Sequence, residues 1–194
     1  MKRGDLMEVE VIEIDYRGDG IGRVQENDIV VRRGLPGDRI EGKIVKKRRG
    51  RIELEIVRII SCEIQRIDPQ CIHFGICGGC RWQDISYEDQ LNLKESLVQK
   101  SLERKNLFPK KMESILPSVD VFYYRNKMEF SFGSDRDGVL QLGLHIRGRY
   151  NRIFDIEKCH LQSPESNMLV EAFRTGAKLY QLKPYNLKTH DGLL

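Results

Sequence analysis

The stretch Cys71-Ile72-His73-Phe74-Gly75-Ile76-Cys77-Gly78-Gly79-Cys80-Arg81-Trp82-Gln83 constrains this chain more than any other. It holds three of the five cysteines, in the pattern C-x5-C-x2-C. Two thiols three positions apart can face one inorganic centre, because the backbone turns back between them. Gly78 and Gly79 fill that turn; they tolerate positive φ and leave N–H groups free to face sulfur. A four-thiolate site needs one more donor, and Cys159 in Glu157-Lys158-Cys159-His160 is the late candidate. Cys62 has no such spacing. Three readings of the cysteines stand: buried thiols or a disulfide, a zinc site, or a [4Fe–4S] cluster on Cys71, Cys77, Cys80 and Cys159. No apolar leader follows Met1-Lys2-Arg3, which argues against a secreted disulfide framework. Zinc sites usually pair their ligands two by two, whereas here a triplet precedes a lone cysteine. Ferredoxin cysteines stand closer together, so a dedicated electron carrier is not favoured.

Composition sets the compartment and the partners. The 194 residues fit one ordinary domain or two small ones, and 40% are apolar. No apolar run is long enough to span a membrane. Cysteine usage points to a reducing cytoplasm. The net charge is only +4, but the 33 basic and 29 acidic residues are unevenly placed. Residues 43–51 carry Lys43, Lys46, Lys47, Arg48, Arg49 and Arg51 with no acid, which reads as a solvated loop or as a patch facing phosphates.

Residues 1–61 read as roughly five short strands with tight turns. β-Branched residues dominate residues 6–14. Short runs follow at 22–24 and 29–32, with a break at Gly34-Leu35-Pro36-Gly37-Asp38. Residues 39–46 and 51–60 alternate, with Ile40, Ile44, Ile52, Leu54, Ile56 and Ile59 as core candidates. This pattern predicts a small closed or partly open barrel of the OB type, an architecture that tracks nucleic-acid backbone with basic residues such as Arg23, Lys46, Lys47 and Arg48. Gly18-Asp19-Gly20-Ile21-Gly22 is a hairpin turn rather than a dinucleotide loop, because no helix follows it. No other stretch offers a glycine loop for a nucleotide cofactor.

Beyond the cysteines, Ser86 with Asp89 starts a helix over residues 86–106, its apolar stripe formed by Tyr87, Leu91, Leu93, Leu97, Val98 and Leu102. Residues 123–132 alternate strongly and predict a strand. A second strand is expected over 139–146, a basic turn over 147–152, and a third strand over 152–156, giving an antiparallel meander that returns Cys159 to the other cysteines. Closing so long a loop through a metal would remove much unfolded-state freedom. Ser163-Pro164 starts a second helix whose buried stripe is expected to be Met168, Leu169, Ala172, Phe173, Leu179 and Tyr180. Trp82 is expected to shield the centre, with Phe74 and Ile76 keeping water away, and His73 to stand outside the ligand set. The fold class is therefore α+β and mostly β: an OB-like barrel, then an antiparallel sheet domain with two helices and a four-cysteine site.

The run from Cys71 to Gln83 with Tyr87, Gln90, Leu91 and Lys94 resembles the cluster motif of the RNA uracil-5-methyltransferases. So do Tyr124-Arg125-Asn126-Lys127, Phe130-Ser131-Phe132-Gly133 and Asp155-Ile156-Glu157-Lys158-Cys159. Residues 1–61 resemble a TRAM domain, a small RNA-binding barrel. The resemblance implies a [4Fe–4S] cluster on the four matching cysteines and S-adenosylmethionine-dependent C5-methylation of uridine in RNA, ribosomal RNA before transfer RNA. It implies RNA contacts by Arg125, Lys127, Arg147 and Arg149 beside the N-terminal cations. Its implied domains are 1–61 (TRAM), 62–188 (central) and 189–194, a stub leading to a methyltransferase domain. The cofactor site, nucleophile and general base of that family lie downstream of residue 194, so no catalytic residue is assigned and the chain alone is predicted to be a monomer that binds RNA without methylating it. The competing classes are a free-standing RNA-binding module with a structural metal, and an iron–sulfur redox protein.

Overall fold

The computed structural model describes residues 2–48, 50–186 and 189–193. The expectations that fall on Arg49, Leu187, Lys188 and Leu194 lie outside the described residues. The chain divides into two compact units: Met1–Asp68 with Asp84–Pro117, and Pro69–Gln83 with Ser118–Leu194. Among the described residues the architecture is mostly β with two helices.

The first unit carries β1 (Leu6–Glu10), β2 (Glu13–Ile14), β3 (Gly20–Val24), β4 (Asn27–Arg32), β5 (Arg39–Arg48) and β6 (Arg51–Ser61). They form one mixed sheet in the order β1-β5-β6-β4-β3-β2. All pairs are antiparallel except β4 with β6. Alternation in β5 and β6 sends Ile40, Ile44, Ile52 and Leu54 inward, where they meet Val9, Val11, Ile29 and Val31. Each such aliphatic side chain stabilises the fold by about 2 kcal/mol when fully buried. Ile56 packs at the edge of this core, but Ile59 is exposed, because the far half of β6 outruns the layer it would pack against.

The expected barrel is not a closed hydrogen-bonded ring among the described residues. β1 and β2 are nevertheless consecutive in the chain and form opposite edges of the sheet, so the sheet curls. The chain passes β3 so closely there that a Cβ on Gly22 would stand 2.4 Å from the Glu10 carbonyl oxygen. This close approach, not phosphate binding, accounts for the glycine-rich run. Asp15 Oδ1 accepts from the N–H groups of Arg17 and Asp19 and makes the turn that precedes it.

Asp38 is fully buried. Its Oδ2 accepts from the Leu35 N–H at 2.8 Å and from the Arg66 guanidinium. Arg66 also reaches Asp84 at 2.6 Å and the Arg33 carbonyl at 3.1 Å, which pins the segment after β6. Burial pushes the Asp38 carboxyl above its ordinary range, against the opposing pull of the Leu35 N–H and of Arg66.

Helix α1 (Tyr87–Glu103) belongs to the first unit. Ser86 caps it as the sequence predicts, with its Oγ accepting from the Asp89 N–H at 3.0 Å. Its cations Lys100 and Arg104 reach Glu13. The expected apolar stripe is buried only at Leu93, and Val98 is more than half exposed.

The second unit holds β7 (Ser131–Ser134), β8 (Leu140–Ile146) and β9 (Arg149–Asp155) in one antiparallel sheet, with α2 (Pro164–Leu179) after it. The predicted long strand over 123–132 is not formed; only its end joins the sheet. The preceding residues run extended beside residues 160–162 instead, with Tyr123 N–H donating to the His160 carbonyl and Arg125 N–H to that of Leu161. The alternation is real, since Phe122, Met128, Phe130 and Phe132 pack on the core of this unit. An extended segment shows that period whether or not a strand pairs with it. The basic turn is shorter than expected, and Arg149 already lies in β9. A Cβ on Gly143 would stand 2.0 Å from the Phe154 carbonyl oxygen, so β8 and β9 meet in this register only with glycine there.

Helix α2 starts at Ser163, whose Oγ accepts from the Ser166 N–H. Its buried side chains are Val170, Arg174 and Ala177, not the apolar stripe read from the sequence. Met168, Leu169, Phe173, Leu179 and Tyr180 are all exposed. Arg174 sets this rotation. Its Nη2 donates to the carbonyls of Leu142 (3.1 Å) and Ile156, its Nε to Asp155 at 2.9 Å, and its Nη1 to Glu171.

Candidate metal centre

The second unit encloses a cavity of about 240 Å³. Cys71, Cys77, Cys80 and Cys159 all line it, although Cys159 lies far from the other three in sequence. Phe74, Met128, Leu144, Ile156 and Leu161 supply apolar wall, and Arg125, Lys158 and His160 also line it.

Each cysteine is placed by a different device. Phe74 N–H donates to the Cys71 carbonyl, and the N–H groups of Ile76 and Cys77 to that of His73, so residues 71–77 wind into consecutive turns. Cys77 is anchored by a bridge to Ile146, and Arg147 N–H donates to the Ile76 carbonyl. Gly79 N–H donates to Cys77 Sγ at 3.3 Å, the contact expected of the glycine turn. Gln83 Nε2 donates to Cys80 Sγ at 3.2 Å.

Cys159 is buried and held by the first turn of α2. Its N–H donates to Asn167 Oδ1 at 2.7 Å, and Asn167 Nδ2 donates back to the Cys159 carbonyl at 3.0 Å. His73 stands apart from the ligand set: it is buried, its Nε2 accepts from the Glu157 N–H at 3.0 Å, and its ring packs on Phe154. It ties the first cysteine segment to the strand end that leads to Cys159.

Burial pushes the thiols of Cys71, Cys77 and Cys80 above their ordinary range. The backbone N–H groups of His73 and Phe74 at Cys71, the Gly79 N–H at Cys77 and the Gln83 amide at Cys80 oppose that shift, and the mutual repulsion of the cysteines adds to it. Four thiols on one cavity wall, with Arg125 and Lys158 beside them, form the soft donor set that zinc and iron–sulfur clusters take. Among the described residues, no three His, Cys, Asp or Glu side chains stand close enough to hold a single metal ion.

Two expected shields are placed differently. Trp82 is buried but is not part of the cavity lining, and Ile76 is about half exposed. Phe74 does line the cavity.

The expected RNA-contacting cations divide by environment. Lys46, Lys47 and Arg48 are exposed at the end of β5. Lys46 pairs with Glu53 at 3.1 Å, and Arg23 with Asp28 at 3.5 Å. Lys127 pairs with Glu129 at 3.2 Å, both largely in solvent. Arg149 is exposed and Arg147 half-buried. Arg125 turns toward the cavity, where its charge favours the Cys77 thiolate, and its Nη1 lies 3.7 Å from Met128 Sδ. No helix among the described residues is long and apolar enough to cross a membrane.

No protein-family model matches the chain. An uncharacterized RNA methyltransferase of Caldanaerobacter subterraneus is 36% identical over 194 residues, covering 100% of this chain and 43% of that protein. One of Bacteroides thetaiotaomicron is 33% identical over 192 residues, covering 91% and 42%. Among solved structures, the tRNA (uracil-54, C5)-methyltransferase of Pyrococcus abyssi, crystallised with S-adenosyl-L-homocysteine, aligns with a TM-score of 0.65 at 22% identity. It is covered over 40% of its length, against 96% of this chain, and shows a shared fold. The chain thus matches RNA methyltransferases along its whole length and spans about two fifths of theirs.

Proposed function

We propose that this chain is the RNA-recognition and iron–sulfur portion of an S-adenosylmethionine-dependent RNA uracil-5-methyltransferase. The observation that carries the reading is the joint one: similarity to part of RNA methyltransferases along the whole of this chain, and four cysteines around one cavity. Residues 1–61 are assigned to an OB-like RNA-binding domain of the TRAM type and 62–188 to a central domain. Residues 189–194 lead toward a methyltransferase domain carried by the longer protein. The curled six-stranded sheet supports the first assignment, while helix α1, inside the central segment by sequence, joins the compact unit of that sheet.

Cys71, Cys77, Cys80 and Cys159 would hold a [4Fe–4S] cluster. Bound there, the cluster supplies a rigid cross-link between distant parts of the chain. His73 and Asn167 orient the two cysteine segments toward each other, and Phe74, Met128 and Leu161 exclude water from the sulfurs. The RNA-facing groups are Arg23, Lys46, Lys47 and Arg48 in the first unit and Lys127, Arg147 and Arg149 in the second, with Arg125 divided between RNA and the cavity. They grip and orient the substrate. The methyl donor binds elsewhere in the longer protein, and these residues carry out no step of methyl transfer.

The test has three arms. Chain purified without oxygen is expected to carry iron and acid-labile sulfide in equal amounts and little zinc. Its affinity for structured RNA, with ribosomal fragments and transfer RNA as separate probes, is expected to fall linearly on a log–log salt plot. The slope should be about −0.7 to −0.9 per phosphate contacted. The chain alone is expected to transfer no methyl group from S-adenosylmethionine to RNA. Zinc without sulfide, RNA affinity that ignores salt, or methyl incorporation by the chain alone would each overturn the corresponding part.

A further inference from the structure

Gln83 closes the cysteine motif, and its side chain does two things at once. Oε1 accepts from the Cys71 N–H at 3.1 Å, and Nε2 donates to Cys80 Sγ at 3.2 Å. The amide lies on the cavity wall and is partly buried. Its orientation is fixed by chemistry: a backbone N–H can only donate, so the oxygen must face Cys71 and the NH₂ is left to face the sulfur. One planar group therefore joins the first and last cysteines of the C-x5-C-x2-C segment.

A shorter side chain cannot span both contacts, and an apolar one makes neither. A glutamate keeps the reach and the acceptor but turns a carboxylate oxygen toward the sulfur. The two contacts can thus be removed separately. Gly79 N–H gives Cys77 a comparable donor, but from the backbone, where substitution cannot delete it. The donors to the Cys71 sulfur are the backbone groups of His73 and Phe74. Its place in the cavity depends on how the chain holds its backbone, and the Gln83 oxygen is the side-chain group that does so.

We propose that Gln83 is a positioning residue for the metal centre: its amide holds the Cys71 backbone in register with Cys80 and donates a hydrogen bond to the Cys80 sulfur. This rests on the cluster reading above. An N–H donor draws electron density from a ligand sulfur, so it stabilises the more negative, reduced state of a bound cluster and slows oxidative loss.

The test uses the full chain, anaerobically purified, as wild type, Gln83→Glu and Gln83→Leu. Three quantities are measured: iron and sulfide content, reduction potential, and the rate at which visible cluster absorbance bleaches in air. Gln83→Glu is expected to load iron nearly as well as wild type, to bleach about fivefold faster, and to show a lower potential, because the lost hydrogen bond no longer favours the reduced cluster. Gln83→Leu is expected to load less iron as well, since it also frees the Cys71 N–H. The urea midpoint of the metal-free chain should move little in Gln83→Glu, which separates a positioning role from a general structural one. Wild-type chain without iron and sulfide would overturn the cluster reading and this inference together. A loaded wild type whose potential and bleaching rate match those of Gln83→Glu would overturn the assignment of Gln83 alone.

Discussion

Replacing Arg174 by methionine is expected to destabilise the second unit by about 3 kcal/mol. The residue is buried, and its guanidinium ties α2 to the carbonyls of Leu142 and Ile156 and to Asp155, and pairs with Glu171 on the same helix. The carboxylates contribute little, since Glu171 and Asp155 retain substantial solvent access and can be hydrated when the cation is gone. The cost comes from the two carbonyls. Methionine fills much of the volume but offers no donor, and each buried acceptor stripped of a partner costs about 1–3 kcal/mol. The Leu142 oxygen keeps the Ile156 N–H as an alternative, which limits its share. Lysine should restore less than half the loss, because one ammonium cannot reach two carbonyls and a carboxylate in the plane a guanidinium spans. Hydrogen exchange at the β8 and α2 amides checks this: the methionine variant should exchange on the order of a hundredfold faster there, with strands β1–β6 unchanged. Unchanged protection of β8 would show that Arg174 does not hold the helix.

Cys159→Ser is expected to lower the iron content of anaerobically purified chain on the order of tenfold or more, whereas Cys62→Ser leaves it unchanged. A hydroxyl is a far poorer ligand than a thiolate, and metal binding is coupled to the order of the segments it joins. Cys159 is the buried ligand candidate brought in from a distant part of the chain, while Cys62 is exposed and stands outside the cavity. The segment around residue 159 should also lose exchange protection, despite the two Asn167 contacts that hold it. Iron retained at the wild-type level in Cys159→Ser would remove this residue from the site.

Much of this was legible from local chemistry. Ser86 and Ser163 announced both helices, because a capping hydroxyl acts on N–H groups three residues away and needs no tertiary partner. The aliphatic alternation of residues 39–54 announced the core strands for the same reason. That Cys71, Cys77 and Cys80 stand together was legible as a spacing, and Cys159, which lines the same cavity, was named as a late candidate, but the devices that hold them were not legible. Gln83 and His73 stand inside the cysteine motif, yet their partners, the Cys71 N–H and the Glu157 N–H, are set by the fold, as is the hold of Asn167 on Cys159.

The face of α2 was misread for a related cause. An apolar stripe is a preference for burial, and it predicts orientation only when no stronger tether competes. Here one arginine finds two carbonyls, one on the central strand β8 and one just past β9, and the helix turns to serve it. The segment before β7 shows the complementary limit: an extended chain and a paired strand share the same two-residue period, so the pattern could not tell them apart.

The parallel contact between β4 and β6 imposes an order of events on folding. β4 has no partner on that side until β6 exists, and β6 is placed by its hairpin with β5 across the turn at Gly50. Hairpins close within microseconds, whereas pairings that wait on an intervening strand come later. Substitutions at Ile44 or Leu54 should therefore slow refolding of this unit, while a conservative change at Val31 should chiefly speed its unfolding, a contrast that stopped-flow kinetics on the two sets would resolve.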